Sequence, residues 1–115
     1  MKKKYLVKKN KEFKKIYQEG FSAVNRFVVI FGRKNEFSGK RFGFSVSKKL
    51  GKAVKRNRVK RRLKEICRQN WHWFKDGYDY ILIARRGIEQ LPFDAVRHYV
   101  ESGAAKLSKK LQREE

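Results

Sequence analysis

The segment from Lys48 to Lys64 restricts the possible folds of this chain more than any other stretch. It holds ten lysines and arginines and no acidic residue. Apolar residues nevertheless recur at helical spacing within it and just beyond it, at Val59, Leu63, Ile66 and Cys67. We therefore expect a helix from about Ala53 to Asn70, with a buried apolar stripe and a cationic face opposite to it.

The cations on this predicted helix repel one another. Like-charged residues stand at i, i+4 spacing in the pairs Arg56/Lys60, Lys60/Lys64, Arg58/Arg62 and Lys64/Arg68. At a few tenths of a kcal/mol each, these pairs cost about 1–2 kcal/mol, and the Arg61/Glu65 pair offsets only one such increment. A solvated surface helix usually mixes charges of both signs, so the pattern favours a bound polyanion.

The start of the predicted helix is also unusual. Lys52, Lys55 and Arg56 oppose the positive end of the helix dipole, and no Ser, Thr or Asp cap immediately precedes them. A phosphate backbone lying there would reverse the sign of this penalty. We interpret the helix as an RNA-phosphate contact, the alternative being an ordinary solvated helix face.

The whole chain shares this positive charge. Its net charge is +21, from 32 lysines and arginines against 11 acidic residues. Because such an excess destabilises a compact state by self-repulsion, we expect a polyanionic partner, with nucleic acid as the leading candidate. An anionic membrane surface is the alternative, but no apolar run approaches the ~20 residues of a spanning helix.

Composition favours a folded domain. Hydrophobic residues make up 40% and aromatic residues 14% of the 115 residues, more than a disordered basic tail would have. No apolar signal-peptide core follows Met1 before Asn10. Cys67 is the single cysteine, which excludes an internal disulfide and a cysteine-based metal site. We expect one domain over residues 1–115 and a cytoplasmic location.

The remaining segments predict a mixed α+β fold. A short helix follows Asn10, which can cap it, and ends before Gly20. Apolar and alternating patterns predict strands at Arg26–Gly32, Arg41–Ser47 and Tyr78–Ala84. A last helix starts near Pro92. These elements indicate a two-layer α+β domain.

The aromatic residues allow two interpretations. If Val28 and Ile30 meet Phe42, Phe44 and Val46 in the core, the opposite face of the first strand carries Phe27, Val29 and Phe31. Phe13 and Tyr17 share one side of the first helix. Such rings could stack unpaired bases, but a small core also needs them, and spacing by itself favours the core.

No pattern in the sequence indicates a catalytic site. His72 and His98 are far apart in sequence, and neither has a neighbouring nucleophile or carboxylate arrangement. The chain contains no phosphate-binding loop, paired-carboxylate motif or zinc pattern. We expect neither a small-molecule substrate nor chemistry performed by the protein itself.

The segment Val46–Glu65 (VSKKLGKAVKRNRVKRRLKE) resembles the signature of the bacterial ribonuclease P protein family. The order and spacing of its pieces carry the resemblance: Ser-Val-Ser-Lys-Lys, then Gly-Lys-Ala-Val, then Arg-Asn-Arg-x-Lys-Arg. Asn10–Gly20, Asn25–Val28 and Ile83–Arg85 also resemble the landmarks of this family. Lys64 departs from the pattern, since an Arg often stands there; it keeps the charge but loses the bidentate fork.

The resemblance implies a particular fold. It implies a sandwich of a four-stranded mixed sheet with helices on one side, in the order α-β-β-β-α-β-α, and a left-handed βαβ crossover. A short additional strand near Ser22–Val24 would complete the sheet.

The resemblance also implies a function. Proteins of this family bind a large catalytic RNA and the single-stranded 5′ leader of precursor tRNA, and the RNA performs the hydrolysis with Mg²⁺ that it holds itself. The leader cleft would use Phe13, Tyr17 and Phe31. Contacts to the catalytic RNA would come from the basic helix and the preceding strand end: Arg56, Asn57, Arg58, Lys60, Arg61, Lys64, Lys48 and Lys49.

Three other functions compete with this interpretation. A ribosomal or RNA-assembly protein without a catalytic complex would have the same charge and fold class. DNA binding through the basic helix is weaker, since no turn and partner helix of helix-turn-helix type precedes it. A protein enzyme in its own right lacks a site.

Overall fold

Three α-helices and four strands occur in residues 1–113, the part of the chain that the computed structural model describes. These residues form α1 (Asn10–Glu19), β1 (Phe21–Val24), β2 (Val28–Lys34), β3 (Arg41–Ser45), α2 (Ala53–Gln69), β4 (Tyr78–Ala84) and α3 (Phe93–Arg113). The order α-β-β-β-α-β-α is confirmed, as is the short strand after Gly20. Within the same residues, no helix is both long and apolar enough to cross a membrane.

The described strands form a four-stranded mixed sheet in the order β1-β2-β4-β3. β2 pairs antiparallel with β1 and with β4, whereas β3 pairs parallel with β4. Because α2 connects the parallel strands β3 and β4, these three elements form a βαβ unit. The predicted α+β class is confirmed; the left-handed sense of the crossover stays a prediction.

One face of the sheet is closed by α2 and α3. Val28, Ile30 and Phe42 are 0% exposed there and belong to the same buried cluster as the apolar stripes of both helices. The predicted meeting of Val28 and Ile30 with Phe42 and Phe44 is confirmed. We call this side the closed face.

Helix α1 packs on the opposite side, which we call the open face. Ile16 of α1 is buried against Val7 and Ile81, and Ile81 alternates along β4 with residues of the closed face. The resemblance implies helices on one side of the sheet, and the structure differs in this respect. Burial of the apolar side of α1 against β2 and β4 accounts for the difference.

The approach of α1 to the sheet is close at Gly20. A Cβ at this position would lie 2.6 Å from the carbonyl oxygen of Ile16 and 2.9 Å from that of Gly32. Only glycine therefore lets the chain pass directly from α1 into β1 here.

Several predicted element ends were wrong. Asn10 is the first residue of α1, with Lys9 at the N-cap position. β3 ends at Ser45 rather than Ser47. β2 spans Val28–Lys34 rather than Arg26–Gly32.

A turn at Asn25 explains the late start of β2. Asn25 Oδ1 accepts hydrogen bonds from the backbone N–H groups of Phe27 (3.1 Å) and Val28 (3.0 Å). Phe27 therefore does not share the open face with Val29 and Phe31. Its ring packs edge-on against Tyr99 of α3, with centroids 4.7 Å apart.

Candidate nucleic-acid interface

Helix α2 buries the predicted apolar stripe and presents its basic residues to solvent. Val59, Leu63, Ile66 and Cys67 are buried, and burial raises the pKa of the Cys67 thiol far above its ordinary value, so the thiol is unreactive. The predicted RNA contacts Asn57, Arg58, Lys60 and Arg61 are exposed, and Arg56 and Lys64 are half-buried. We call these six residues the cationic face.

The start of α2 is open to an anion. Lys52 occupies the N-cap position and offers no side-chain acceptor, and the first turn contains no acidic residue. Arg56 Nε donates to the carbonyl oxygen of Gly51 at 3.1 Å, which holds this guanidinium beside the helix start. The positive end of the helix dipole and the nearby cations thus favour a phosphate group there.

Lys48 and Lys49 lie immediately before α2, but not in the strand. They belong to the 3₁₀ turn Lys48–Leu50, which Ser47 caps by accepting from the backbone N–H of Lys49 at 3.1 Å. Both lysines are exposed. This cap turns the chain after β3 and explains why β3 ends early.

Two charged residues of α2 pair differently from the prediction. Glu65 bonds Arg68, with Arg68 Nε 3.1 Å from Oε2, and also Gln69, so the predicted Arg61/Glu65 pairing is wrong. Arg62 Nη1 donates to the carbonyl oxygen of Leu91 at 2.9 Å and ties α2 to the segment before α3. Arg62 therefore lies outside the cationic face.

The predicted aromatic residues come together on the open face. The Tyr17 ring lies 6.2 Å from the Phe13 ring and 5.1 Å from the Phe31 ring, edge-on to the latter. Tyr17 is 37% exposed, and Phe13 and Phe31 are half-buried. Burial raises the pKa of Tyr17, whose hydroxyl hydrogen-bonds Ser45. We call these three rings the aromatic cleft.

Gly43 of β3 lets the tip of the Phe13 ring approach the sheet closely. A Cβ at this position would lie 2.6 Å from Cζ of Phe13. Any larger residue would push the ring away from the strand, so Gly43 sets the depth of the aromatic cleft.

The aromatic cleft and the cationic face meet in one groove. This groove has a volume of about 280 Å³ and is lined by Leu6, Val7, Lys8, Phe13, Phe42, Phe44, Lys60 and Lys64. Burial lowers the pKa of Lys64, and the positive charges of Lys60 and Lys8 lower it further. Such a cluster of cations is relieved by a bound phosphate.

Sequence reasoning missed two contributors to this site. Lys8 enters the groove because the N-terminal segment joins the edge of β3, where the backbone N–H of Val7 donates to Phe42 at 2.8 Å. Arg41 holds α1 in place, since its Nη2 lies 2.9 Å from Glu12 and 2.6 Å from Asp79. The alternation along β3 places Arg41 on the open face, so the sequence could have predicted this position. The pairing of the N-terminal segment with β3 is non-local, and no local sequence pattern predicts it.

The carboxylates near the aromatic cleft do not fit a Mg²⁺ site. Glu12 and Asp79 are bound to Arg41, and Glu19 lies 3.0 Å from Arg33. Across residues 1–113, the structure brings no three His, Cys, Asp or Glu side chains together as a metal-binding group.

Comparisons with known proteins agree with one another. The family model Ribonuclease P matches residues 1–108. A ribonuclease P protein component from Desulforamulus reducens is 42% identical over 109 residues, covering 95% of this chain and 96% of that protein. One from Streptococcus pneumoniae is 43% identical over 93 residues, covering 81% and 76%.

Solved structures show the same fold. The RNase P protein of Staphylococcus aureus matches with a TM-score of 0.83 at 36% identity, covering 91% of this chain and 95% of that one. The RNase P protein of Thermotoga maritima matches with a TM-score of 0.75 at 33% identity, covering 80% and 87%.

Fold and surface together define an α+β nucleic-acid-binding protein, in which a cationic helix adjoins a half-open aromatic cleft. Within this class, one family matches nearly the whole length of the chain, which argues against a ribosomal or assembly protein. The chain belongs to the ribonuclease P protein family. This membership makes it an RNA-binding protein of tRNA processing.

Proposed function

We propose that this protein binds the catalytic RNA of ribonuclease P through the cationic face of α2 and the 5′ leader of precursor tRNA through the aromatic cleft. In doing so it assists the endonucleolytic removal of the leader that forms the mature tRNA 5′ end. A cytoplasmic location is part of this proposal.

The charge distribution supports the contact between α2 and the catalytic RNA. The cationic face and Lys48 and Lys49 form one positive surface around the uncapped start of α2. Phosphate contacts of this kind position a protein on RNA without reading its sequence. A large folded RNA presents the dense phosphates that such a surface needs.

The geometry of the aromatic cleft supports the contact with the leader. Its rings are edge-on or tilted to one another, and Tyr17 keeps 37% of its surface exposed. Partly exposed rings can stack on the bases of a single strand whatever their sequence. Leaders of different sequence could therefore use the same site.

The side chains support a division of roles between the protein and the RNA. The carboxylates beside the aromatic cleft are bound to arginines and do not fit Mg²⁺. In this proposal Mg²⁺ is held by the catalytic RNA and supplies the hydrolytic chemistry. The protein binds and positions the leader, and its lysines offset phosphate repulsion between the two RNAs.

The observation that carries the proposal is the shared groove, in which Phe13 of the aromatic cleft lies beside Lys60 and Lys64 of the cationic face. The catalytic RNA on the cationic face and the leader on the aromatic cleft would therefore lie side by side at this groove.

A cleavage assay tests this proposal. Protein freed of all RNA should leave precursor tRNA intact, whereas protein with its catalytic RNA should cleave at a Mg²⁺ concentration too low for the RNA by itself. Robust 5′ cleavage by RNA-free protein, or the lack of any stimulation by the protein, would refute the proposal.

A further inference from the structure

A second aromatic pocket lies near the C-terminal end of α2. It has a volume of about 530 Å³ and is lined by Met1, Lys2, Tyr5, Arg68 and Trp71. This volume falls within the range of small-ligand sites, about 300–1,000 Å³. Neither the aromatic cleft nor the cationic face includes any of these residues. We call it the Tyr5 pocket.

Two aromatic rings form the walls of the Tyr5 pocket. Tyr5 and Trp71 are edge-on, with centroids 5.1 Å apart, and both are half-buried. The Trp71 ring also packs on Phe42 of the core at 5.3 Å. Lys40 Nζ lies 5.1 Å from the same ring and donates to the Trp71 carbonyl oxygen at 2.9 Å. Because Trp71 is held on several sides, binding a ligand against it costs little ordering entropy.

Cations surround the opening of the Tyr5 pocket. Lys2 and Arg68 are exposed, and Arg68 also pairs with Glu65. Lys4 Nζ lies 5.0 Å from the Tyr5 ring. A pocket with aromatic walls and a positive rim suits a ligand that is flat at one end and anionic at the other. A nucleotide has this form, since its base can stack and its phosphate can meet the cations.

The Tyr5 pocket continues the cationic face of α2. Arg68 follows Lys64 at i+4 spacing, so it lies on the same side of the helix about one turn, or about 6 Å, further along. An RNA strand that follows Lys60 and Lys64 along α2 would reach the pocket directly.

We propose that the Tyr5 pocket binds one unpaired nucleotide of the catalytic RNA, extruded from the strand that lies along α2. This inference rests on the proposed contact between α2 and the catalytic RNA. The leader of precursor tRNA is the other source of an unpaired nucleotide. The catalytic RNA is favoured because Arg68 extends the surface assigned to it, whereas the aromatic cleft lies across the sheet on the open face.

The affinity of two Tyr5 variants for the catalytic RNA, measured in the absence of precursor tRNA, tests the proposal. Tyr5→Leu removes the ring but keeps apolar bulk, and should weaken binding about 5- to 150-fold, the equivalent of one lost base stack of about 1–3 kcal/mol. Tyr5→Phe keeps the ring and should bind like the wild type. The salt dependence should stay the same for both, because neither variant removes a cation.

The simultaneous change of Arg56, Arg58 and Lys60 to Ala is the matched control for the underlying function. If that variant binds normally, the α2 contact itself is refuted. If it binds weakly while Tyr5→Leu binds like the wild type, only the Tyr5 pocket is refuted. A loss for Tyr5→Leu that arises only when precursor tRNA is present would overturn the assignment to the catalytic RNA.

Ultraviolet crosslinking of the wild-type complex gives a test that does not depend on the folding of a variant. Irradiation followed by mass spectrometry should find a nucleotide of the catalytic RNA attached to Tyr5 or Trp71. Crosslinks confined to other residues would overturn the proposal.

Discussion

The two faces of the sheet use similar residues for different purposes. Helices of 17 and 21 residues cover the closed face, where Tyr80 and Leu82 of β4 are 1% and 0% exposed. A helix of ten residues covers the open face, where Phe13 and Phe31 are half-buried and Tyr17 is exposed. The length of the covering helices thus decides which rings serve stability and which can meet a ligand.

The largest expected effect is on the stability of the closed face. Leu82→Ala should lower the free energy of unfolding by about 2–5 kcal/mol, because it leaves a cavity in a fully buried site. Denaturant titration measures this loss. The remaining folded protein should still prefer precursor tRNA with a leader over leaderless tRNA to the same degree as the wild type. A selective loss of leader binding would contradict the distinction between the two faces.

The next largest effect is a loss of RNA affinity at the cationic face, which belongs to neither the closed nor the open face of the sheet. Changing Arg56, Arg58 and Lys60 together to Ala should weaken binding to the catalytic RNA by up to about 3 kcal/mol at low salt, at up to about 1 kcal/mol per exposed ion pair. The salt slope should shrink by somewhat less than about one unit per lost phosphate contact. The melting temperature of free protein should not fall, because like-charge repulsion is relieved.

The matched control removes the same charge at the opposite edge of the sheet. Lys106, Lys109 and Arg113 are exposed on α3, whose Lys110 bonds Ser22 of the edge strand β1. Changing these three residues to Ala should alter RNA affinity much less. Equal losses in both triple variants would show that net charge, and not the cationic face, governs binding.

A loss of leader affinity of intermediate size should distinguish the open face from the core. Tyr17→Ala should reduce affinity for precursor tRNA with a leader by about 1–3 kcal/mol and leave affinity for leaderless tRNA nearly unchanged. Its stability should stay within about 1–1.5 kcal/mol of the wild type. Affinity and the denaturation midpoint are measured on the same protein, with Tyr17→Phe as the control that retains the ring. A large loss of stability without a leader-specific effect would contradict the aromatic cleft.

The smallest effect comes from Gly43→Ala. The added methyl group would lie 2.6 Å from Cζ of Phe13, the far end of a side chain that can rotate away. We expect a small change in melting temperature and a leader-specific loss smaller than that of Tyr17→Ala, since one ring is displaced but retained. An unchanged leader affinity would show that the position of Phe13 does not matter for binding.

Local patterns predicted much of this molecule. β4 has the predicted bounds, Tyr78–Ala84, and α2 ends one residue earlier than predicted, at Gln69. Both contain long, regular runs of apolar residues, so the period of the pattern defines them. Short-range side-chain bonds were less predictable: the Asn25 turn removed Phe27 from the open face, and Arg68 rather than Arg61 bound Glu65.

The sequence by itself determined the α+β class, the apolar stripe of α2 and the cationic side opposite to it, because charge and periodicity are properties of the chain. Only the tertiary structure decided that α1 lies across the sheet from α2 and α3, that Phe13 lines one groove with Lys60 and Lys64, and that Tyr5 meets Trp71. These contacts join segments distant in the sequence. Their geometry follows from how the helices and the N-terminal segment pack on the sheet, which no local pattern records.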